Sequence, residues 1–492
     1  MITAFANTMK VPDLRSRILF TLAMIVIVRL GVHLPLPGVD VEALKNYMDS
    51  QAQSKDGPFG ALGAILTIFS GGGLQQCGIF ALGIMPYISA SIMTQLMGAV
   101  IPSFKKMLRE EGGRQKMTKI TRLLAIIIAV IQGYLLTITL NSPESIGIDL
   151  GHNASLVLNP GFIFTVTTIF IIVTGTMFLM WIGDQITERG IGNGISLIIS
   201  VNIISALPGA FAIAWSTYVG SGDTLNPLGS LGIVALILFM VLVVALVVTI
   251  TQAQRRIPVQ QAKRMVGRKM MNGGTQYLPL KLNYSGVMPV IFATAILALP
   301  AMLVNQLFGQ DSSITHFVQV LMTPSHIGYY IISAIMIFFF SYFWVATMFQ
   351  PQQISEDMQR SGSYIPGIRP GQPTATYLDQ TMSRLTFAGS LFLTLIYFLP
   401  SLLYVWFGLN MIVTQFFGGT SLLILVGVLL DVMRQVEATL LQKNYDGFMR
   451  KSRNRSKYSH LQGNGTESSK GLVALWIIIA AFVLTGAVIM AM

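Results

Sequence analysis

The run from residue 229 to residue 251, GSLGIVALILFMVLVVALVVTIT, contains no charged side chain. A helix needs roughly 20 largely apolar residues to cross about 30 Å of hydrocarbon, so this stretch is long enough to do so. Reading outward from it, comparable stretches lie near 18–36, 77–97, 121–140, 161–182, 192–214, 287–308, 326–349, 385–407 and 412–433, with an eleventh at 471–492. The composition agrees. Of 492 residues 53% are hydrophobic and only 11% charged, and the mean hydropathy is +0.66, whereas soluble domains carry about a quarter charged residues. The fold class expected is all-α integral membrane. One cysteine, Cys77, excludes an internal disulfide framework and a cysteine metal cluster. The first apolar stretch resembles a cleaved leader in length, but it has no small-x-small cleavage site and runs into Leu34-Pro35-Leu36-Pro37-Gly38. It is therefore read as a span.

Charge placement orients the chain. With the N-terminus in the cytoplasm, all but three of the 32 Lys and Arg fall in cytoplasmic segments. The exceptions are Lys45 and Lys55 outside, and Arg29 within the first span, where it either snorkels to the outer interface or pairs with a neighbour. This is the positive-inside pattern. The net charge of +12 then serves first to hold loops near anionic lipid. It is compatible with acidic or RNA-rich partners but does not by itself establish them.

Ten of the spans divide into two sets of five, residues 1–214 and 215–436, joined by an outer loop carrying Ser221-Gly222-Asp223. That arrangement suggests an inverted repeat, although no residue-level repeat is visible. Two inner loops are long. Residues 252–286 hold seven basic and no acidic residues, and 350–384 are charge-balanced and rich in Pro and Gly. Loops longer than about 12–15 residues are usually functional or disordered, and these two read as docking surfaces. Residues 437–470 are basic, then Gly/Ser/Asn-rich, and read as a tether leading to the additional hydrophobic span 471–492.

Five segments carry a resemblance. They are Lys10-Val11-Pro12-Asp13-Leu14-Arg15; Phe69-Ser70-Gly71-Gly72-Gly73 with the following run Ile79–Ile92, IFALGIMPYISASI; Gln185–Ser196, QITERGIGNGIS; Pro366-Gly367-Ile368-Arg369-Pro370-Gly371; and Gly418–Ile424, GGTSLLI. In this order and topology they resemble the SecY family of protein-translocation channels, over nearly the whole chain to about Arg450. The resemblance implies a ten-span channel of two pseudo-symmetric halves with a plug half-helix. The eleventh span departs from that pattern.

What the resemblance implies residue by residue can be set beside the physics. A pore for unfolded chains must stay sealed to ions, and branched hydrocarbon excludes water while yielding to varied side chains. The family places such a ring at Ile84, Ile88, Ile195, Ile199, Ile291 and Ile424; 84/88 and 195/199 are i, i+4 pairs on one helix face. Residues 59–76 are apolar but glycine-interrupted and too short to span. By resemblance they form the plug, with Ile65, Leu66, Ile68, Phe69, Gly71 and Gly72. Gln95 and Gln132 lie in spans two and three, which by resemblance form a lateral gate against spans seven and eight, and polar groups inside spans are costly enough to be informative. Arg255, Arg256 and Arg369 are the implied docking residues for a motor or ribosome. Implied partners are SecE and SecG subunits, the SecA motor ATPase, a translating ribosome, secretory and membrane-protein substrates, and membrane lipids, in the bacterial cytoplasmic membrane. No catalytic constellation, metal site or cofactor motif is visible, so transport energy is expected from outside the chain. The glycine-rich run 188–194 resembles a phosphate loop only superficially, since it lacks Gly-Lys-Ser/Thr and lies between spans. Its glycines more naturally allow a tight turn and close helix approach. Two rivals remain: a small-solute transporter, which would place acidic residues or His near the midplane, and a pore-less insertase.

Overall fold

A computed structural model describes residues 12–40, 71–73, 77–110, 112–141, 157, 161–215, 231–261, 264–266, 269–271, 274–294, 296–297, 304, 317–318, 321, 327–407, 413 and 420–451. The expected plug residues Ile65, Leu66, Ile68 and Phe69, the outer loop at 221–223 and the span 471–492 lie outside these.

The described chain is mostly helical: α1 Pro12–Val32, α2 Met85–Val100, α3 Pro102–Arg109, α4 Gly113–Asn141, α5 Phe162–Arg189, α6 Gly194–Trp215, α7 Leu231–Gln252, α8 Ile327–Met348, α9 Pro351–Arg360, α10 Gln372–Phe407 and α11 Thr420–Lys451. Between α7 and α8 lie β1 Gln254–Gln261, β2 Arg264–Val266, β3 Lys269–Met271 and β4 Thr275–Lys281, and β5 Ser363–Tyr364 precedes α10. Residues 288–294 are also helical, at the start of the expected seventh span.

Among the described residues, six helical segments are long and apolar enough to cross a membrane. α1 falls short because Asp13, Arg15, Arg17 and Arg29 lie within it, and α2 because it has 16 residues. α2 was expected to begin near 77 but begins at Met85. Gly83 takes φ +56°, which breaks a right-handed helix, and Pro86 then sits in the first turn, where its missing N–H is no loss. The residues displaced from the helix are strapped to the chain after α1. Leu36 N–H donates to Cys77 O (2.8 Å) and Ile79 N–H to Leu34 O (2.9 Å), and Pro35 and Gly78 form an antiparallel bridge.

α2 packs on α4, α4 on α5 and α5 on α6, while α8 packs on α10 and α7 on α11; α6 and α11 bring the two groups together. A single apolar cluster runs through both groups, including Ile84, Ile182, Ile203, Val243, Phe292, Ile337 and Leu423. Outward faces are equally apolar: Phe162, Ile163 and Phe170 on α5 are 81%, 82% and 72% exposed. Surfaces of that kind suit lipid, and the exposed Thr167 and Thr174 among them donate back to the helix carbonyls of Ile163 and Phe170.

The two long loops expected to dock partners are built structures. β1 pairs antiparallel with β4, from Gln254↔Lys281 to Gln260↔Thr275, and β5 pairs on the other edge of β1 through Gln260↔Tyr364. Ile257 and Val259 of β1 and Leu280 of β4 bury against Val345 of α8, Phe349 just beyond its end, Ile365, and Leu378 and Met382 of α10. α10 has 36 residues, roughly 54 Å at 1.5 Å per residue, longer than a bilayer core needs. Its first turns therefore serve this second core. Leu378 is fully buried there. Leu378→Ala is expected to cost about 2–5 kcal/mol, seen as faster proteolytic cutting within 252–286 and a lower Tm of the purified protein in detergent.

Candidate functional site

The six expected ring isoleucines all belong to, or pack on, the one large apolar cluster. Ile84, Ile88, Ile199, Ile291 and Ile424 are buried members, and Ile195 packs against them partly buried. They arrive from four places in the chain: the N-cap and first turn of α2, the first turns of α6, the helical residues 288–294, and the second turn of α11. Ile88 N–H donates to Ile84 O (3.1 Å), so the 84/88 pair shares a face although Ile84 is only the N-cap. The cluster also holds Leu179, Ile182 and Val243, so it is a wide apolar core of which the six are a part.

Of the expected plug, Gly71 and Gly72 are described, both with positive φ (+66° and +87°). Gly71 is buried, and its carbonyl accepts from Arg29 Nη1 of α1 (3.3 Å) and from Ser205 Oγ of α6 (3.5 Å). Of the two readings for Arg29, pairing with a neighbour is the one the structure has.

Gln95 and Gln132 lie on helices that pack against each other, yet the hydrogen bond between those helices is made elsewhere, by Thr94 Oγ1 and Thr121 Oγ1 at 2.9 Å. Gln132 is eleven residues beyond Thr121 on α4, roughly 16 Å along the axis, so the two glutamines do not meet. Gln95 Nε2 donates to Ser91 Oγ within its own helix. Each glutamine keeps a buried Oε1 with no hydrogen-bond partner among the described residues. Such an atom costs free energy until it finds a donor. Sequence reading passed over the Thr94–Thr121 bond, for threonines in spans usually bond their own helix backbone, as both also do here.

The glycine run between α5 and α6 is occupied by the protein itself. Gly190 N–H donates to Ile186 O, Ile191 N–H to Thr21 Oγ1, Gly192 N–H to Gln435 Oε1 and Gly194 N–H to Thr187 Oγ1. Asn193 Oδ1 accepts from Ile195 and Ser196. A phosphate cradle needs free N–H groups, and these are spent. The loop joins α1, α5, α6 and α11 at the end of the bundle that carries the sheet. Beside it, Arg122 of α4 and Asp184 of α5 form an ion pair at 2.6 Å.

Arg255, Arg256 and Arg369 are all exposed and belong to the sheet module. Arg369 follows a tight turn in which Ile368 N–H donates to Ile365 O (3.1 Å). Pro366 occupies the second position and Gly367 (φ +83°) the third, the residues a type II turn demands. Thr374 Oγ1 then donates to Arg369 O and Ser355 Oγ to Gly371 O. Arg255 and Arg256 face opposite sides of β1. They lie about five residues from the β5 pairing at Gln260, roughly 17 Å along the strand, so the structure gives two separate basic points. The hairpin that presents them leaves only a weak trace in the sequence: Ile257 and Val259, and Leu278 and Leu280, stand two apart as strand residues do, but Pro258 and Pro279 lie between them. The short helix α9 announced itself, with Pro351 in its first turn and Ile354 and Met358 one turn apart. Among the described residues no group of three His, Cys, Asp or Glu is placed to hold a metal ion.

Comparison with known proteins adds to this geometry. The sequence profile of the SecY family matches residues 78–433. The protein translocase subunit SecY of Streptomyces scabiei is 43% identical over 456 residues, covering 92% of this chain and 100% of its own. A solved SecY channel, described by a plug domain that stabilises its closed state and maintains a membrane seal, superposes with a TM-score of 0.55 at 17% identity, over 86% of this chain and 91% of that one. Sec61 in the canine ribosome–channel complex superposes with a TM-score of 0.53 at 17% identity, over 86% and 91%.

Proposed function

Since the chain belongs to the SecY family of protein translocase subunits, we propose that it is the central channel subunit of a Sec translocon. It sits in the bacterial cytoplasmic membrane with its N-terminus inside, as ten spans in two five-helix halves, with 471–492 as an eleventh. Unfolded secretory chains pass through the ring of Ile84, Ile88, Ile195, Ile199, Ile291 and Ile424. Hydrophobic segments leave into lipid through a lateral gate in which spans two and three, with Gln95 and Gln132, part from spans seven and eight. The plug, residues 59–76, closes the resting channel from outside.

The observation that carries this reading is that those six isoleucines, from four distant segments, all belong to or pack on one apolar cluster that runs through both helix groups. An apolar constriction suits a passing polypeptide, since it binds nothing strongly and water leaves it readily. It offers no ligand to a small polar solute. The sheet module supports docking, for it presents Arg255, Arg256 and Arg369 on a cored unit at the end where the positive-inside pattern puts the cytoplasm. A SecA motor or a translating ribosome supplies the energy there, and SecE and SecG complete the complex.

The test is reconstitution. A complex containing this chain, in proteoliposomes with the motor and ATP, is expected to bring a secretory precursor into protease-protected space. Insertion of membrane proteins with no protection of a secretory precursor would leave the insertase reading in its place.

A further inference from the structure

Six residues join the sheet to the helical segment that carries Ile291. β4 ends at Lys281 and helical residues resume at Met288, so the connection is Leu282-Asn283-Tyr284-Ser285-Gly286-Val287. Its first residue still belongs to the ladder: Leu282 N–H donates to Ala253 O at 2.9 Å, one step beyond the Gln254↔Lys281 pair. Its last residue already belongs to the helix, since Ile291 N–H donates to Val287 O at 3.3 Å.

Between those ends the chain is folded by one side chain. Asn283 and Ser285 are both buried. Asn283 Nδ2 donates to Gly286 O at 2.9 Å, and Ser285 Oγ donates to Asn283 Oδ1 at 3.1 Å. Both ends of the amide are thus bonded, as burial of a polar group demands. Gly286 takes φ +64°. A Cβ there would meet nothing within 4 Å, so glycine serves its left-handed backbone and not a lack of space.

The folded connection is also held from outside. A Cβ on Gly389 of α10 would stand 2.6 Å from Leu282 O and 3.5 Å from Asn283 Cα, and one on Gly427 of α11 would stand 2.9 Å from Val287 Cγ1. The Tyr284 ring meets Phe349 edge-on, with centroids 5.8 Å apart. α10 also carries Leu378 and Met382 of the core beneath the sheet, so the sheet and the connection rest on the same helix. Pairing at both ends, folding within and close packing outside leave no slack between β4 and Ile291.

We propose that Asn283 is a positioning residue that couples docking on the sheet module to the seventh span: its two hydrogen bonds stiffen the turn 283–286, so that a load on the sheet moves the helix carrying Ile291. The inference rests on the reading of Arg255, Arg256 and Arg369 as docking residues, and adds to it the link through which docking acts on the apolar cluster. With a loose turn the motor binds and that helix stays where it is.

The experiment uses the complete complex in proteoliposomes and measures two quantities, equilibrium affinity for the motor and the maximal rate of precursor translocation at saturating motor and ATP. Asn283→Ala takes the described partners from the Gly286 carbonyl and the Ser285 hydroxyl, a loss that shifts an equilibrium by about ten-fold. The maximal rate is expected to fall by about that factor, with motor affinity held within about two-fold because the exposed arginines are untouched. Ser285→Ala keeps the Asn283–Gly286 bond and is expected to lower the maximal rate by about two- to three-fold. It carries the test if Asn283→Ala does not assemble. An unchanged maximal rate in the assembled Asn283→Ala complex, or in the Ser285→Ala complex where Asn283→Ala does not assemble, overturns the proposal. If affinity falls and the maximal rate holds, Asn283 belongs to the docking surface, which overturns the link as well. A motor that does not bind the unsubstituted complex removes the docking reading and the link together. A motor that binds, and binds less well to Arg369→Glu, beside a silent Asn283→Ala leaves docking in place and removes the link alone.

Discussion

Gly194→Ala is expected to prevent the chain from accumulating as a folded protein. A Cβ at this position would overlap the carbonyl oxygen of Gly183 and stand 2.8 Å from Ile186 Cβ. The clash is with helix backbone, so no side-chain rotation relieves it, and α5 and α6 would have to separate where Ile195 and Ile199 leave the loop. The same turn is pinned on three other sides: Thr21 Oγ1 takes the Ile191 N–H, Gln435 Oε1 takes the Gly192 N–H, and Thr187 Oγ1 takes the Gly194 N–H itself. Overpacking of this kind at a shared junction belongs with the largest single-residue effects, above about 4 kcal/mol. Gly209→Ala is the control. It lies in the same helix, and a Cβ there would have nothing within 4 Å, so alanine is expected to be neutral or stabilising by about 0.5–1 kcal/mol. Steady-state amount in membranes and Tm in detergent read both variants. Normal accumulation of Gly194→Ala would contradict the packing described for the loop.

Arg369→Glu is expected to have the opposite signature, with a fold left intact and transport lost. The turn that presents Arg369 is made by Pro366, Gly367 and the Ile365–Ile368 bond, and the only bond described for Arg369 itself uses its main-chain oxygen, accepting from Thr374. The exposed side chain is therefore free to be exchanged at a structural cost within about 0.5 kcal/mol. Reversing a charge at a docking point removes an attraction and adds a repulsion. Motor-driven precursor translocation is expected to fall by about ten-fold or more, while the Tm and the proteolytic pattern of 252–286 stay unchanged. Arg256→Ala, about a strand's length away, is expected to do less, since the second basic point remains in place. An Arg369→Glu protein that transports normally would detach the sheet module from docking.

Much of this architecture is legible in residue order because membrane spans announce themselves by length and hydropathy. Each of the first ten expected positions carries helical residues, and among the described residues the start of α2 moved where local backbone chemistry at Gly83 and Pro86 overrode hydropathy. The inner loops were legible as special but not as structures. Their strands carry Pro258 and Pro279, which weaken a strand signal, and β5 comes from a different loop, so its pairing with β1 is a long-range event that no local pattern records. Arg29 shows the limit most clearly. Sequence marks it as an expensive charge with an unnamed partner, and the partner is a glycine carbonyl, 42 positions away, that carries no side-chain signature at all. Gln95 and Gln132 were visible for the same reason of cost, while their unsatisfied oxygens could be seen only once the helices were packed. The ring isoleucines are the reverse case. Nothing in their local sequence distinguishes them from lipid-facing isoleucines, and the motifs around them, not their periodicity, pointed to them.

The central claim is that a secretory chain passes between those isoleucines, and one cross-link tests it most directly. Cys77 is removed first as Cys77→Ala, since it is buried among apolar residues and serine would leave a hydroxyl there. A single cysteine then replaces Ile199, and a secretory chain arrested in transit carries another. A disulfide between the two that forms only with the motor and ATP present is the result predicted. If a cysteine at Arg369 links to the motor under the same conditions while the one at position 199 never links to the arrested chain, the chain does not pass through this cluster.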